Sequence, residues 1–170
     1  MEDPYYKKGE AIVEIIEVND SHADIVGKVH STAWKDTYRE IFSTEYINQD
    51  TPEKRKQECI GALENKRSRY YLLFVQNVAI GIIKISFQPK NICEIQSIYF
   101  LKEYRANGYG SQAINFIKKE YSNYKIILWV LEQNHSAIRF YERNGFKFTT
   151  QKRIVKRGSD YFQIQFACHN

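Results

Sequence analysis

The sequence predicts a mixed α/β domain, a β-sheet with helices packed against it. Three observations lead there. Short runs rich in β-branched and aromatic residues recur at 70–76, 78–87 and 93–101, with turn residues between them. Stretches with apolar residues at helical spacing stand before and after those runs. In the second half of the chain, strand-like and helix-like stretches alternate, as in a sheet that carries helices.

In chain order, residues 1–10 are polar and are expected to form a flexible arm, which leaves 11–170 as one domain. Residues 11–18 alternate and read as a strand. Ser21, three residues before Asp24, is a helix-start signal. Ile25, Val26, Val29, Ala33 and Trp34 then follow at helical spacing. Thr51-Pro52 opens a second helix, because proline is tolerated in a first turn. Cys59, Ile60 and Leu63 lie on one side of it. Asn77 marks the tight turn of a hairpin between 70–76 and 78–87. After the strand 93–101, a glycine-punctuated loop leads into a helix with Ala113, Ile114, Ile117 and Tyr121 on its apolar face. Residues 126–131 form a short buried strand, and 136–143 a helix stopped by Asn144-Gly145. The last β region begins at 146–148 and turns at 157–160 between 154–155 and 161–166. The predicted order is β-α-α-β-β-β-α-β-α-β-β.

Composition narrows the class of function. A chain of 170 residues suits one domain with one sizeable core. With 43% hydrophobic and 26% charged residues it has an ordinary globular balance. Thirteen Tyr and ten Phe predict a ring-lined core and pocket. The net charge of +5 is dispersed, and its clusters (Lys54-Arg55-Lys56, Lys66-Arg67, Lys152-Arg153) are short and read as solvated faces. No RNA-reading motif accompanies them, so no nucleic-acid partner is expected; a ligand with several phosphates suits the same charge. Cys59, Cys93 and Cys168 are widely spaced and odd in number, which predicts neither a disulfide framework nor a metal site. No apolar run reaches membrane-spanning length and no signal-peptide pattern opens the chain. A cytoplasmic location without a membrane partner is therefore expected.

The segment Arg105-Ala106-Asn107-Gly108-Tyr109-Gly110, followed by Ser111, lies between a strand and a helix. A helix N-terminus offers unpaired N–H groups and the positive end of a dipole, and so suits phosphate. Gly108 and Gly110 let the backbone approach phosphate oxygens and adopt positive φ. Arg105 either braces the loop or contacts the phosphates. The string differs from the nucleoside-triphosphate loop and from the three-glycine dinucleotide fingerprint.

Residues 128–146, LWVLEQNHSAIRFYERNGF, follow at a fixed distance. Together the two segments resemble the GCN5-related N-acetyltransferase family. The first resembles its acetyl-CoA loop, preceded by the strand EIQSIYF at 94–100. The second resembles its N-x-x-A-x-x-x-Y-x-x-x-G-F stretch. The resemblance is strong over 94–148 and looser at 30–38, HSTAWKDTY, which is similar to one subgroup of small bacterial members.

That resemblance implies a mostly antiparallel central sheet with one splayed parallel strand pair and helices on both faces. It implies acetyl transfer from acetyl-CoA to a primary amine of a small molecule or peptide, with no metal. Ile98, Tyr99 and Phe100 would pair by their backbone with the pantetheine arm, and Ala106 to Ser111 would hold the pyrophosphate. Asn134 matches the Asn that positions the pantetheine arm; it is also a good helix N-cap. Tyr141 matches the Tyr near the cofactor sulfur, where a phenol can protonate the departing thiolate. By periodicity alone it is a core aromatic. Glu94 is the candidate base for the incoming amine; otherwise it is a strand-end charge. Some ribosomal-protein acetyltransferases carry a Glu five residues before the Asn, where this chain has Trp129, so that mechanism is not carried over. Trp34 and Tyr38, with Tyr46, belong to the acceptor-side wall or to the core. His30 and His135 read as satisfied surface or cap groups. Direct transfer is expected rather than an acetyl-cysteine on Cys93. The alternative is an acetyl-CoA-binding domain without catalysis. The β-rich C-terminal hairpin is compatible with a homodimer.

Overall fold

A computed structural model describes residues 12–168; the expected arm at 1–10 lies outside the described residues. Seven strands form one sheet: β1 (Glu14–Glu17), β2 (Ser68–Val75), β3 (Val78–Gln88), β4 (Ile92–Phe100), β5 (Lys125–Leu131), β6 (Lys147–Lys156) and β7 (Asp160–Cys168). Their spatial order is β1-β2-β3-β4-β5-β7-β6. Every neighbouring pair is antiparallel except β4 and β5, which run parallel. The helices are α1 (Ala23–Tyr38), α2 (Thr44–Asn48), α3 (Pro52–Asn65), α4 (Tyr109–Glu120) and α5 (His135–Arg143).

The pleat sorts side chains between two cores. On one face Tyr71, Ile83, Ile95 and Leu128 pack against Ala113, Ile114 and Ile117 of α4 and against Tyr141 of α5. On the other, Tyr70, Leu72 and Ile82 meet Val26 and Val29 of α1 and Cys59 and Ala62 of α3. A third cluster joins Trp34, Phe42 and Ile47 to Leu131. The expected mixed sheet with helices on both faces and one parallel pair is the observed fold.

Local signals account for most boundaries. The Thr51 side chain accepts from the Lys54 amide at 3.2 Å, with Pro52 in the first turn of α3. Gln76 and Asn77 both have positive φ, the requirement of a type I′ hairpin turn. Three expectations are corrected. The cap before α1 is Asn19, not Ser21: its side chain accepts from the Ser21 amide, while the His22 ring takes the Asn19 amide, closing a capping box over a short 3₁₀ turn. Ile25, assigned to the apolar face of α1, is 40% exposed, because α1 turns the side carrying Val26, Val29 and Ala33 to the sheet. Helix α2, capped by Ser43, was not expected; five residues are too few for a periodic signal.

Candidate active site

The parallel pair β4–β5 is hydrogen-bonded only from Ile92–Lys125 to Ile95–Leu128. Beyond that point the strands diverge. A register shift against β3, where Lys84 faces Ser97 but Ile85 faces Ile95, makes Gln96 an extra residue in β4. Such a bulge bends its strand and strengthens the local twist, turning β4 away from β5. Two backbone edges, at 96–100 and 129–131, therefore face a gap. A cleft of about 1060 Å³ runs through it.

At one end lies the loop before α4. Gly108 has φ +79° and caps the helix without a side chain, and Ala106 also has positive φ. The N-terminus of α4 presents the positive end of a helix dipole at the cleft, although the Ser111 amide is already taken by the Gly108 carbonyl at 3.1 Å. Arg105 braces this loop rather than reaching into it. Its guanidinium donates to the Phe100 carbonyl at 2.9 Å, the Ala33 carbonyl at 3.1 Å and Thr37 Oγ1 at 3.2 Å. Ala106, Gly108, Gly110 and Ser111 line the cleft, whereas Asn107 and Tyr109 do not. The Asn107 amide instead closes the turn on the Arg105 carbonyl, and Tyr109 packs on the core.

At the middle, Ile98, Tyr99 and Phe100 form one wall and Asn134 and Tyr141 the other. Asn134 caps α5: its side-chain oxygen accepts from the Ala137 amide at 3.2 Å and from Ser136 Oγ at 3.1 Å. Tyr141 is buried, and burial raises its phenol pKa, so its hydroxyl stays protonated. Its neighbours include Tyr38 and Tyr99, whose hydroxyls are 3.1 Å apart.

The far end is aromatic and charged. Trp34 packs tilted on Phe42 at a centroid distance of 5.8 Å, and Tyr38 stacks on it at 4.9 Å. Glu94, at the start of β4, accepts from the Gln88 amide and lines the cleft near Arg153. Arg55 crosses above Trp34 and pairs with Asp50 at 2.6 Å and Glu58 at 2.8 Å; Lys84 reaches Glu58 at 2.6 Å. Those cations overcome the burial of Glu58 and hold its carboxyl down at about 2. His30 corrects its expected role as a satisfied surface group. It is 1% exposed, it stacks on Tyr99 at 5.5 Å, and neither ring nitrogen has a hydrogen-bond partner. Burial, assisted by Arg55, pulls its pKa down to about 3. Cys93 is fully buried and its thiol is pushed up to about 12, a poor nucleophile.

Arg55, Glu58 and Lys84 escaped the sequence reading. Arg55 sits in a basic cluster taken for a solvated face, although Arg55, Glu58 and Cys59 at i, i+3 and i+4 place it on the buried side of α3. Arg153, in another such cluster, stacks 4.3 Å from the Trp129 ring centroid.

The sequence profile of the Acetyltransferase (GNAT) family matches residues 31–146, from the middle of α1 to the residue before β6. The chain belongs to that family. It is 27% identical over 143 residues to a spermidine N(1)-acetyltransferase of Thermoplasma acidophilum, covering 79% of this chain and 88% of that protein. The crystal structure of the PaiA N-acetyltransferase from the same organism, in complex with coenzyme A, superposes with a TM-score of 0.72 at 25% identity, over 91% of this chain and 98% of that one. A dodecameric spermidine N-acetyltransferase from Vibrio cholerae shares the fold, with a TM-score of 0.69 at 14% identity over 92% and 93% of the two chains.

Proposed function

We propose that this GNAT protein transfers an acetyl group from acetyl-CoA to the primary amine of a small molecule or peptide by direct attack. The observation that carries this reading is the end of β4–β5 pairing at Ile95 and Leu128, which opens a cleft between an anion-suited helix end and a buried, protonated Tyr141. When bound, acetyl-CoA supplies the activated thioester. The first turn of α4 receives its phosphates. The bared backbone at Ile98, Tyr99 and Phe100 and the amide nitrogen of Asn134 bind the amide-bearing arm. Trp34 and Tyr38 wall the acceptor side. Glu94 takes the amine proton, directly or through water, as nitrogen bonds to the acetyl carbon. Tyr141 donates its proton to the departing sulfur and regains one from solvent. The unpaired, buried Cys59, Cys93 and Cys168 are compatible with the reducing conditions of the cytoplasm.

One oligomeric neighbour and the exposed apolar pair Ile154 and Phe162, opposed across β6 and β7, support a homodimer through this hairpin. Light scattering of the parent and of Ile154→Lys tests it; a monomeric parent excludes it.

The reaction is tested by thermal shift with acetyl-CoA, then thiol release with a mixed amine panel. A ligand that binds only the native state raises the melting temperature by mass action. Stabilisation together with amine-dependent thiol release is expected. Stabilisation without thiol release selects a non-catalytic acetyl-CoA-binding domain instead.

A further inference from the structure

The acceptor half of the cleft carries a charge pattern of its own. Four cations line it, Arg55, Lys84, Arg153 and Arg157, against two carboxylates, Glu58 and Glu94. Glu58 is occupied by both Arg55 and Lys84, and Arg55 also holds Asp50, outside this cleft. Glu94 accepts from Gln88 and is the group assigned to the reacting amine. A second ammonium on the acceptor would find no carboxylate free to receive it and would sit among like charges.

The two remaining cations lack an ion-pair contact, although Glu94 lies near enough to Arg153 to act on it. Among the described residues, neither Arg153 nor Arg157 has a carboxylate at ion-pair distance. Both are held in place. Arg153 lies against Trp129 with its Nε donating to Gln163 Oε1 at 2.8 Å. Arg157 is at the turn of the β6–β7 hairpin, where its amide donates to the Ser159 carbonyl at 2.8 Å and one guanidinium nitrogen donates to the Lys156 carbonyl at 3.1 Å. The hairpin is pinned to the segment after α1 by the Tyr161 hydroxyl, which donates to the Ile41 carbonyl at 3.0 Å. Arg157 is thereby kept close enough to act on Tyr38, and Arg153 close enough to act on both Arg157 and Glu94. Two guanidiniums, each with N–H donors remaining beyond the bonds to Gln163 and Lys156, suit a planar or tetrahedral oxyanion.

We infer that the acceptor is an amine that also carries an anionic group, a carboxylate or a phosphate, which Arg153 and Arg157 bind, and that a polyamine is a poor acceptor. This rests on the acetyltransferase reading above. It sets the chain apart from its spermidine-acetylating relative at the level of the acceptor while leaving the transfer chemistry the same.

The experiment compares kcat/KM for four amines of matched length: an ω-amino carboxylate, a phosphorylated aminoalcohol, an uncharged alkylamine and spermidine. At least one anionic amine is expected to exceed both the alkylamine and spermidine by tenfold or more. Which of the two anionic arms leads identifies the oxyanion. In Arg157→Gln that preference should fall about tenfold, chiefly through KM, and Arg157→Glu should invert it toward spermidine. Because Arg157 is exposed at a turn, the melting temperature should hold in both variants. Spermidine as the best acceptor of the parent, or a preference unchanged in Arg157→Glu, overturns the inference and leaves the transferase reading standing. Thiol release with none of the amines overturns both.

Discussion

His30 gives the clearest measurable consequence of the cleft. Its ring is buried, stacked on Tyr99, and carries two nitrogens without partners. Burial holds its pKa near 3 in the fold, against 6.5 when exposed. Between those values the unfolded chain binds a proton that the folded chain does not, so stability is complete above pH 6.5 and is lost as pH falls. At 1.36 kcal/mol per unit, the full shift is worth about 5 kcal/mol, and about 2 kcal/mol of it is gone by pH 5. Replacing His30 with Phe keeps a ring over Tyr99 and discards both unpaired nitrogens. At pH 7 the variant should match or exceed the parent, since an unpaired buried polar atom costs about 1–3 kcal/mol. On going from pH 7 to pH 5 the parent should lose about 2 kcal/mol more than the variant. Urea denaturation followed by Trp fluorescence at the two pH values measures both quantities. Equal losses would mean that His30 is protonated in the fold. A variant destabilised by about 3 kcal/mol at pH 7 would mean that the nitrogens are hydrogen-bonded to ordered water.

Tyr141→Phe keeps the ring packed against Phe146 and removes the donor. It should lower kcat by roughly tenfold to a hundredfold while the acetyl-CoA Kd from calorimetry stays within about twofold; a parent-like kcat with chemistry rate-limiting makes Tyr141 a packing residue. Glu94→Gln should slow the reaction most at low pH, where the amine needs help losing its proton, and less at high pH. An unchanged pH–rate profile removes Glu94 from the mechanism. Gly110→Val should weaken acetyl-CoA binding, because even a Cβ at this position meets the Phe140 ring at 2.9 Å and the loop must shift. Binding as tight as the parent's would separate the loop from the phosphates. Gly110 is the better site for this test than Gly108, where φ +79° strains any β-branched residue regardless of ligand.

What could be read from the sequence divides along a physical line. The glycines at 108 and 110, Asn134 and Tyr141 were legible because they sit at fixed offsets from element ends, and element ends carry local signals. Strands β2 to β5 were legible by length and β-branched content. Position along the chain says nothing of which cations meet which carboxylates across the sheet. Lys84 is brought to Glu58 only because α3 lies over β3, and Arg153 reaches Trp129 only because β7 inserts between β5 and β6. The Gln96 bulge was equally hidden, since an extra residue in a strand has no composition of its own. The glycine loop before α4 could therefore be singled out from motifs, and the ion pairs that gather around Glu58 and the stacking of Arg153 could not.

That division has an energetic counterpart in the gap between β4 and β5. Backbone donors and acceptors are obligatory hydrogen-bonding groups, and a sheet normally satisfies them on both edges of an interior strand. Here β3 serves the outer edge of β4, and β7 serves the outer edge of β5 as far as Leu131. The inner edges at 96–100 and 129–131 have no strand between them. An amide-bearing chain lying there gains main-chain hydrogen bonds as an added strand does, without asking for particular side chains. Binding of this kind tolerates wide variation in the side chains around it. In the proposed reading the acceptor side has no such bare edge and selects through side chains such as Arg153, Arg157 and the ring wall of Trp34 and Tyr38. A single fold can thus keep one donor and change acceptors, and on the reading proposed above the charges on α3, β3, β6 and the β6–β7 turn make that choice.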